Sequence, residues 1–195
     1  LKKKLSLDPD INYIGCFGRI RPEKGTDLFI NSICKVLPSA PNWGALVVGR
    51  TTPKFNKFLN KLQKAVDDNN LESRVIFIDE TSDIEDFYKV LDLYIAPSLY
   101  EGFGLTPLEA MACSVPVIAT DVGYYREIIN DDCGYIVEKC EKDMSKHINL
   151  YINNTEKLQE HSEKSRLRIQ RHFNHEDEVQ KILNLYKELQ NYKSI

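Results

Sequence analysis

The chain has 195 residues, 42% hydrophobic and 28% charged, enough apolar material for one compact domain and too much for a disordered segment. Its 26 basic and 29 acidic residues give a formal charge of -3 with the signs mixed along the chain, which argues against nucleic acid or an anionic membrane as a partner of these residues. No apolar run approaches the roughly 20 residues of a bilayer span, and the first residues lack an apolar signal segment. A cytoplasmic protein is expected.

From Ile11 onward, short apolar runs alternate with longer segments of helical period, the pattern of a parallel sheet wrapped by helices. Strands are predicted at Ile11 to Phe17, Gly44 to Val48, Val75 to Ile78, Leu93 to Ala96, Val115 to Ala119 and Tyr135 to Val137. Between them Phe29, Ile33, Val36 and Leu37 share one helix face, and Phe55, Phe58, Leu59, Leu62 and Val66 another. Runs such as Ala45 to Val48 are apolar on both faces, as central strands of an α/β layer must be. A Rossmann-like, doubly wound α/β fold of about six strands follows. After Lys139 the chain turns polar and helical, with Val179, Ile182, Leu183, Tyr186 and Leu189 striping one face of the last helix.

The five cysteines, Cys16, Cys34, Cys113, Cys133 and Cys140, are scattered and include no C-x-x-C pair; they predict neither a disulfide framework nor a zinc site, only buried or inert thiols. The histidines, His147, His161, His172 and His175, all fall in the polar tail and are expected to be solvent-exposed.

In doubly wound sheets ligands collect at the carboxyl ends of the strands, and two loops there stand out. Gly18-Arg19-Ile20-Arg21-Pro22-Glu23-Lys24-Gly25 joins the first strand to a helix opening near Thr26 or Asp27. Glycines at both ends, two cations and a helix N-terminus are the parts of a diphosphate site, or of an ordinary solvated loop. The segment from Pro97 to Glu109 follows the fourth strand. There Gly102 and Gly104 let backbone approach a ligand, and the N–H groups of Phe103, Gly104, Leu105 and Thr106 can point at phosphate oxygens. Pro107 suits a first helical turn. Glu101 and Glu109 make sense beside a phosphate site only if they serve neutral hydroxyls, which a sugar nucleotide carries on both sides of its diphosphate.

The string EGFGLTPLEAMACSVPVIATDVG, a Glu-x7-Glu motif, together with GRIRPEKG, resembles glycosyltransferase family 4 of the two-domain GT-B fold. The resemblance spans most of Ile11 to Val137, and the helices to Tyr192 look like that family's ending. It implies the C-terminal, donor-binding half of a retaining transferase. Arg19 and Lys24 would bind the donor diphosphate with backbone N–H groups of Gly102 to Leu105; Glu101 would contact hydroxyls of the transferred sugar as the catalytic carboxylate, and Glu109 those of the ribose. It implies no metal and no cofactor besides the nucleotide-sugar donor, and an acceptor, glycan or lipid-linked, bound through an N-terminal half. On this reading residues 1–10 are linker, 11–172 the nucleotide-sugar-binding domain, and 173–195 a helix that packs on the N-terminal half; the isolated fragment is expected to be inactive, and the full-length enzyme to touch the membrane peripherally if its acceptor is a lipid.

Three positions depart from the family pattern. Ser114 stands where Gly commonly caps the helix in a left-handed conformation, at a cost of about 1 kcal/mol. Gly49 is followed by Arg50, a candidate third cation. Asp79, with Glu80 beside it, stands where Gly is frequent next to the nucleobase; a carboxylate there suits the paired donors of guanine and leans toward GDP sugars, mannose as the best guess. The phrasing also looks like bacterial lipopolysaccharide-core mannosyltransferases. A non-catalytic binding module derived from the fold, or another GT-B enzyme such as a sugar-nucleotide epimerase, is the alternative; loss of Glu101, Arg19 or Lys24 would mark the module, and all three are present.

Overall fold

The computed structural model describes residues 1–192. Six parallel strands, β1 (Asn12–Phe17), β2 (Trp43–Val48), β3 (Val75–Ile78), β4 (Leu93–Ala96), β5 (Val117–Thr120) and β6 (Gly134–Val137), form one sheet in the order β3-β2-β1-β4-β5-β6. The order reverses between β1 and β4, which pair directly through Ile14↔Leu93 and Gly15↔Tyr94. That reversal splits the crevice of a doubly wound sheet.

Helices cover both faces. Ile14, Ala45, Val47, Leu93, Ile95 and Ile118 point to one side, toward α1 (Thr26–Val36), α2 (Asn56–Asp67) and α6 (Glu141–Ile152). Tyr13, Leu46, Tyr94 and Val117 point to the other, where α3 (Ile84–Lys89), α4 (Leu105–Ala112) and α5 (Tyr125–Ile128) lie. Adjacent residues thus enter opposite cores, which is why the strands read as unbroken apolar runs. A fully buried Leu or Ile of this kind contributes about 1.5 to 3 kcal/mol.

Two partly polar devices tie the layers together. Arg74 donates to the carbonyls of Leu37 (3.0 Å), Ala40 and Trp43, capping the turn that leads α1 into β2. Arg168, on α7 (Thr155–His172), donates to the carbonyls of Ile128 and Glu127, both at 2.6 Å, closing the end of α5. The chain finishes in α8 (His175–Tyr192), whose side chains from His175 to Gln190 are exposed, including Val179, Ile182, Leu183, Tyr186 and Leu189. Residues 1–10 fold against α3: Leu7 is buried beside Phe87, and Lys4 pairs with Asp86 at 2.7 Å. No helix among the described residues is long and apolar enough to cross a membrane.

The expectation of four exposed histidines is wrong for two of them. His161 is fully buried, its Nδ1 2.7 Å from the Tyr151 hydroxyl, and burial, with Lys157 adding to it, holds its pKa down to about 4. A polar helix still has an inner face, and α7 fills its own with His161 and Ser165, whose hydroxyl donates to the carbonyl of His161. His147 is half-buried, its Nδ1 2.8 Å from the Asp143 carbonyl. Cys16, Cys34 and Cys133 are buried free thiols; Cys113 is half-buried and Cys140 exposed.

Candidate functional site

The loop after β1 is built by its glycines. Gly18 leaves the strand at φ +130°, Pro22–Lys24 makes one short helical turn, and Gly25 at φ +65° starts α1. Gly25 lies against the loop after β4 so closely that a Cβ there would stand 1.9 Å from the Pro97 carbonyl oxygen. The amide of Leu99 donates to the carbonyl of Glu23 at 2.9 Å. Two segments distant in sequence are therefore laced together at the point where the strand order reverses.

This lacing brings Lys24 and Glu101 together. The ammonium lies 2.5 Å from Glu101 Oε1, with the two side chains only 23% and 16% exposed. A charge pair this sheltered is screened less by solvent and salt than one on the surface. Arg19 is exposed beside it and borders, with Lys24, Thr26, Tyr94, Ser98 and Thr106, a small cavity between the loops. Gly104, at φ +83°, caps α4 with no side-chain hydrogen bond, so the N–H groups of that helix's first turn, a few residues after Glu101, have no partner within the helix. Gly102, Phe103 and Leu105 are exposed and Thr106 is half-buried; Pro107 is buried in the first turn, where its missing N–H is no loss.

Glu109 is exposed on α4 but not free: Tyr88 donates its hydroxyl to Oε2 at 2.8 Å. Tyr88 in turn packs on Phe17 at 4.7 Å and on Tyr94 at 5.5 Å, which ties Glu109 to the floor beneath the end of β1. Burial keeps the Tyr88 phenol far above its ordinary pKa, so it is a donor and Glu109 the acceptor. Nothing in the local sequence singles out Tyr88; its role appears only when β1, α3 and α4 are placed together.

Arg50 and Glu80 face each other across 3.8 Å, each more than two-thirds exposed, a weak surface pair. Arg50 rims a cleft of about 280 Å³ at the ends of β2 and β3, lined also by Ile20, Gly49, Thr51, Leu59, Phe77 and Asp79. Asp79 lines the cleft, and Glu80 stands outside it. The close approach that shapes this end is at Gly49, where a Cβ would lie 1.9 Å from the Gly18 carbonyl oxygen. A stacked pair of exposed rings, Phe103 and Tyr124, lies 5.2 Å apart and 17° from parallel, with Phe103 two residues after Glu101; the sequence pattern does not pair them. Ser114 adopts φ +63° after α4, the left-handed cap geometry that glycine would hold without strain.

Known proteins share this fold. The family model described as "Glycosyl transferases group 1" matches residues 1–168. The chain is 41% identical over 192 residues to the lipopolysaccharide core biosynthesis mannosyltransferase LpsB of Rhizobium meliloti, covering 96% of this chain and 55% of that protein. It is 38% identical over 183 residues to LpcC of Rhizobium leguminosarum, a protein of the same description, covering 93% and 52%. The chain thus spans about half the length of these curated relatives. Among solved structures, the C-terminal domain of a glycosyl transferase group 1 family protein (LpcC) from Francisella tularensis superposes with a TM-score of 0.81 at 34% identity, over 84% of this chain and 87% of that one. HepE of Anabaena, solved in complex with UDP, shares the fold at a TM-score of 0.87 and 24% identity, over 96% of this chain and 51% of its own. With the sheet order, the two laced loops and the Glu-x7-Glu helix all in place, the chain belongs to the glycosyl transferases group 1 family, and its fold is that of the family's C-terminal domain.

Proposed function

We propose that the chain is the donor-binding half of a retaining glycosyltransferase that moves a hexose, mannose from GDP-mannose as the best candidate, to a lipopolysaccharide-core or related glycan acceptor. The observation that carries this reading is the meeting of Lys24, Glu101 and the α4 N-terminus at the switch point. Cation and helix end suit a diphosphate, and the carboxylate suits the hydroxyls of the sugar next to it. The names of the relatives favour mannose, and Asp79 in the cleft beyond β3 favours a base with two adjacent N–H donors.

In the proposed reaction Arg19, Lys24 and the N–H groups of Gly102 to Thr106 take up the negative charge that grows on the departing nucleoside diphosphate, without a metal. Glu109, held by Tyr88, accepts from the ribose hydroxyls. Glu101 accepts from hydroxyls of the transferred sugar beside the reacting carbon, whose positive character in the transition state it stabilises. The acceptor and its recognition belong to an N-terminal half, against which we place the apolar stripe of α8.

Calorimetric titration with GDP, UDP and ADP, with and without magnesium, tests the reading. One diphosphate should bind with a clear base preference, independently of the metal. Lys24→Ala should weaken it by about 1.5 to 3 kcal/mol. Binding of none, by this chain and by a chain carrying the N-terminal half alike, would overturn the proposal.

A further inference from the structure

Tyr125 opens α5 beneath the turn that carries Gly102 to Thr106. Its side chain is wholly buried, and its hydroxyl has no hydrogen-bond partner among the described residues, an uncommon condition for a buried polar atom. The turn rests on this ring: a Cβ on Gly104 would meet Tyr125 Cε1 at 2.2 Å and its hydroxyl oxygen at 3.0 Å. Burial raises the phenol's pKa and the Glu101 carboxylate raises it further, while the Ser98 and Thr106 hydroxyls, close enough to act on it but outside hydrogen-bond geometry, lower it. The hydroxyl is therefore a neutral donor at any physiological pH, close to three groups of the donor site. Ser98 and Thr106 also border the small cavity between the two loops, about 10 Å³ in size, room for about one water oxygen. Thr106 thus has space beside it in which its hydroxyl can shift by a fraction of an ångström.

We propose that Tyr125 is a positioning residue for the diphosphate: when phosphate binds the turn, the Tyr125 hydroxyl donates to the Thr106 hydroxyl and fixes the direction of the N–H groups from Gly104 to Thr106. The inference rests on the donor-site reading of this turn. A buried donor left without an acceptor disfavours the turn's present geometry, and a geometry that supplies the acceptor is favoured in proportion. A ligand that selects the second geometry gains that difference as affinity. Since Tyr125 touches no phosphate itself, its effect falls on ligands long enough to reach the turn.

The test is titration of wild type, Tyr125→Phe, Thr106→Val and the double variant with GDP and GMP, and with UDP and UMP, alongside thermal unfolding. The diphosphate that binds wild type should bind Tyr125→Phe about tenfold more weakly, the worth of one hydrogen bond. The matching monophosphate should change less than about twofold, and the unfolding midpoint should not fall, because the hydroxyl removed had no partner. Thr106→Val should show the same loss, and the double variant no more than either single one. Unchanged diphosphate affinity in Tyr125→Phe would overturn the inference, as would equal weakening of diphosphate and monophosphate with a lowered midpoint, the mark of a packing residue. If wild type binds neither diphosphate while folded, the donor reading fails first, and the inference falls with it.

Discussion

Replacing Gly25 with alanine tests whether the lacing of the two loops builds the site. The residue sits at φ +65°, and its Cβ would stand 1.9 Å from the Pro97 carbonyl oxygen and 2.7 Å from the carbonyl carbon. The left-handed φ costs about 1 kcal/mol for a residue with a Cβ. In a close-packed interior the overlap can be relieved only if the loop after β4 retreats by roughly 1 Å. That retreat sacrifices the bond from the Leu99 amide to the Glu23 carbonyl, about another 1 kcal/mol, and strains what remains. A total near 3 kcal/mol is expected, which for a chain of this size lowers the unfolding midpoint by about 6 to 12 °C. Lys24 is the next residue, so diphosphate affinity should fall at least about tenfold. Gly102→Ala is the control: nothing lies within 4 Å of its Cβ and its φ is not positive, so its midpoint should move by no more than about 2 °C. If Gly25→Ala melts with the control and binds diphosphate like wild type, the contact between the loops does not shape the site.

Ser114→Gly should stabilise the chain by about 0.5 to 1 kcal/mol, because φ +63° is strained for serine and free for glycine; a midpoint that falls refutes this. The pKa of His161, held down to about 4 by burial, lies below the roughly 6.5 of an unfolded histidine. The unfolded chain therefore takes up a proton first as pH drops, and His161 removes about 3 kcal/mol of stability between roughly pH 6.5 and 4. Denaturant unfolding at pH 7.5 and 4.5 should show a shallower acid loss in His161→Gln, and parallel profiles would sink the assignment. Leu183→Asp should leave the midpoint of this chain unchanged, since α8 is exposed through Gln190, yet destabilise a chain that includes the proposed N-terminal half. Equal behaviour in both would detach α8 from that half.

Where burial is enforced on both faces of a strand, the sequence carries the pattern openly, and β3 and β4 fall on the predicted residues. β5 begins two residues later than its apolar run, at Val117 rather than Val115, because Pro116 has no N–H for the ladder, although its carbonyl accepts from Tyr94. It gains Thr120, whose hydroxyl donates to the Ala96 and Ser98 carbonyls. The glycine and charge content of the two loops was legible, but their meeting was not: Lys24 and Glu101 are 77 residues apart, and only the strand order joins them. Tyr88, Tyr125 and Arg74 escaped notice, and His161 was misplaced, for one reason. Each is a polar group covered wholly or in part by tertiary contact, and neither helical nor strand period records what lies on the far side of an element.

The short pair between Lys24 and Glu101 also bears on turnover in the proposed reaction. An anion can take Lys24 only by drawing it away from Glu101, and a sheltered carboxylate stripped of its cation is costly. A sugar nucleotide meets that demand by giving Glu101 hydroxyl donors at the same moment. Inorganic phosphate does not, and neither does the nucleoside diphosphate left behind once the sugar has gone. In the proposed reaction the pair would therefore work as a spring between substrate and product: it would yield to the intact donor, and after transfer Glu101 would reclaim Lys24 and help to push the spent nucleotide out.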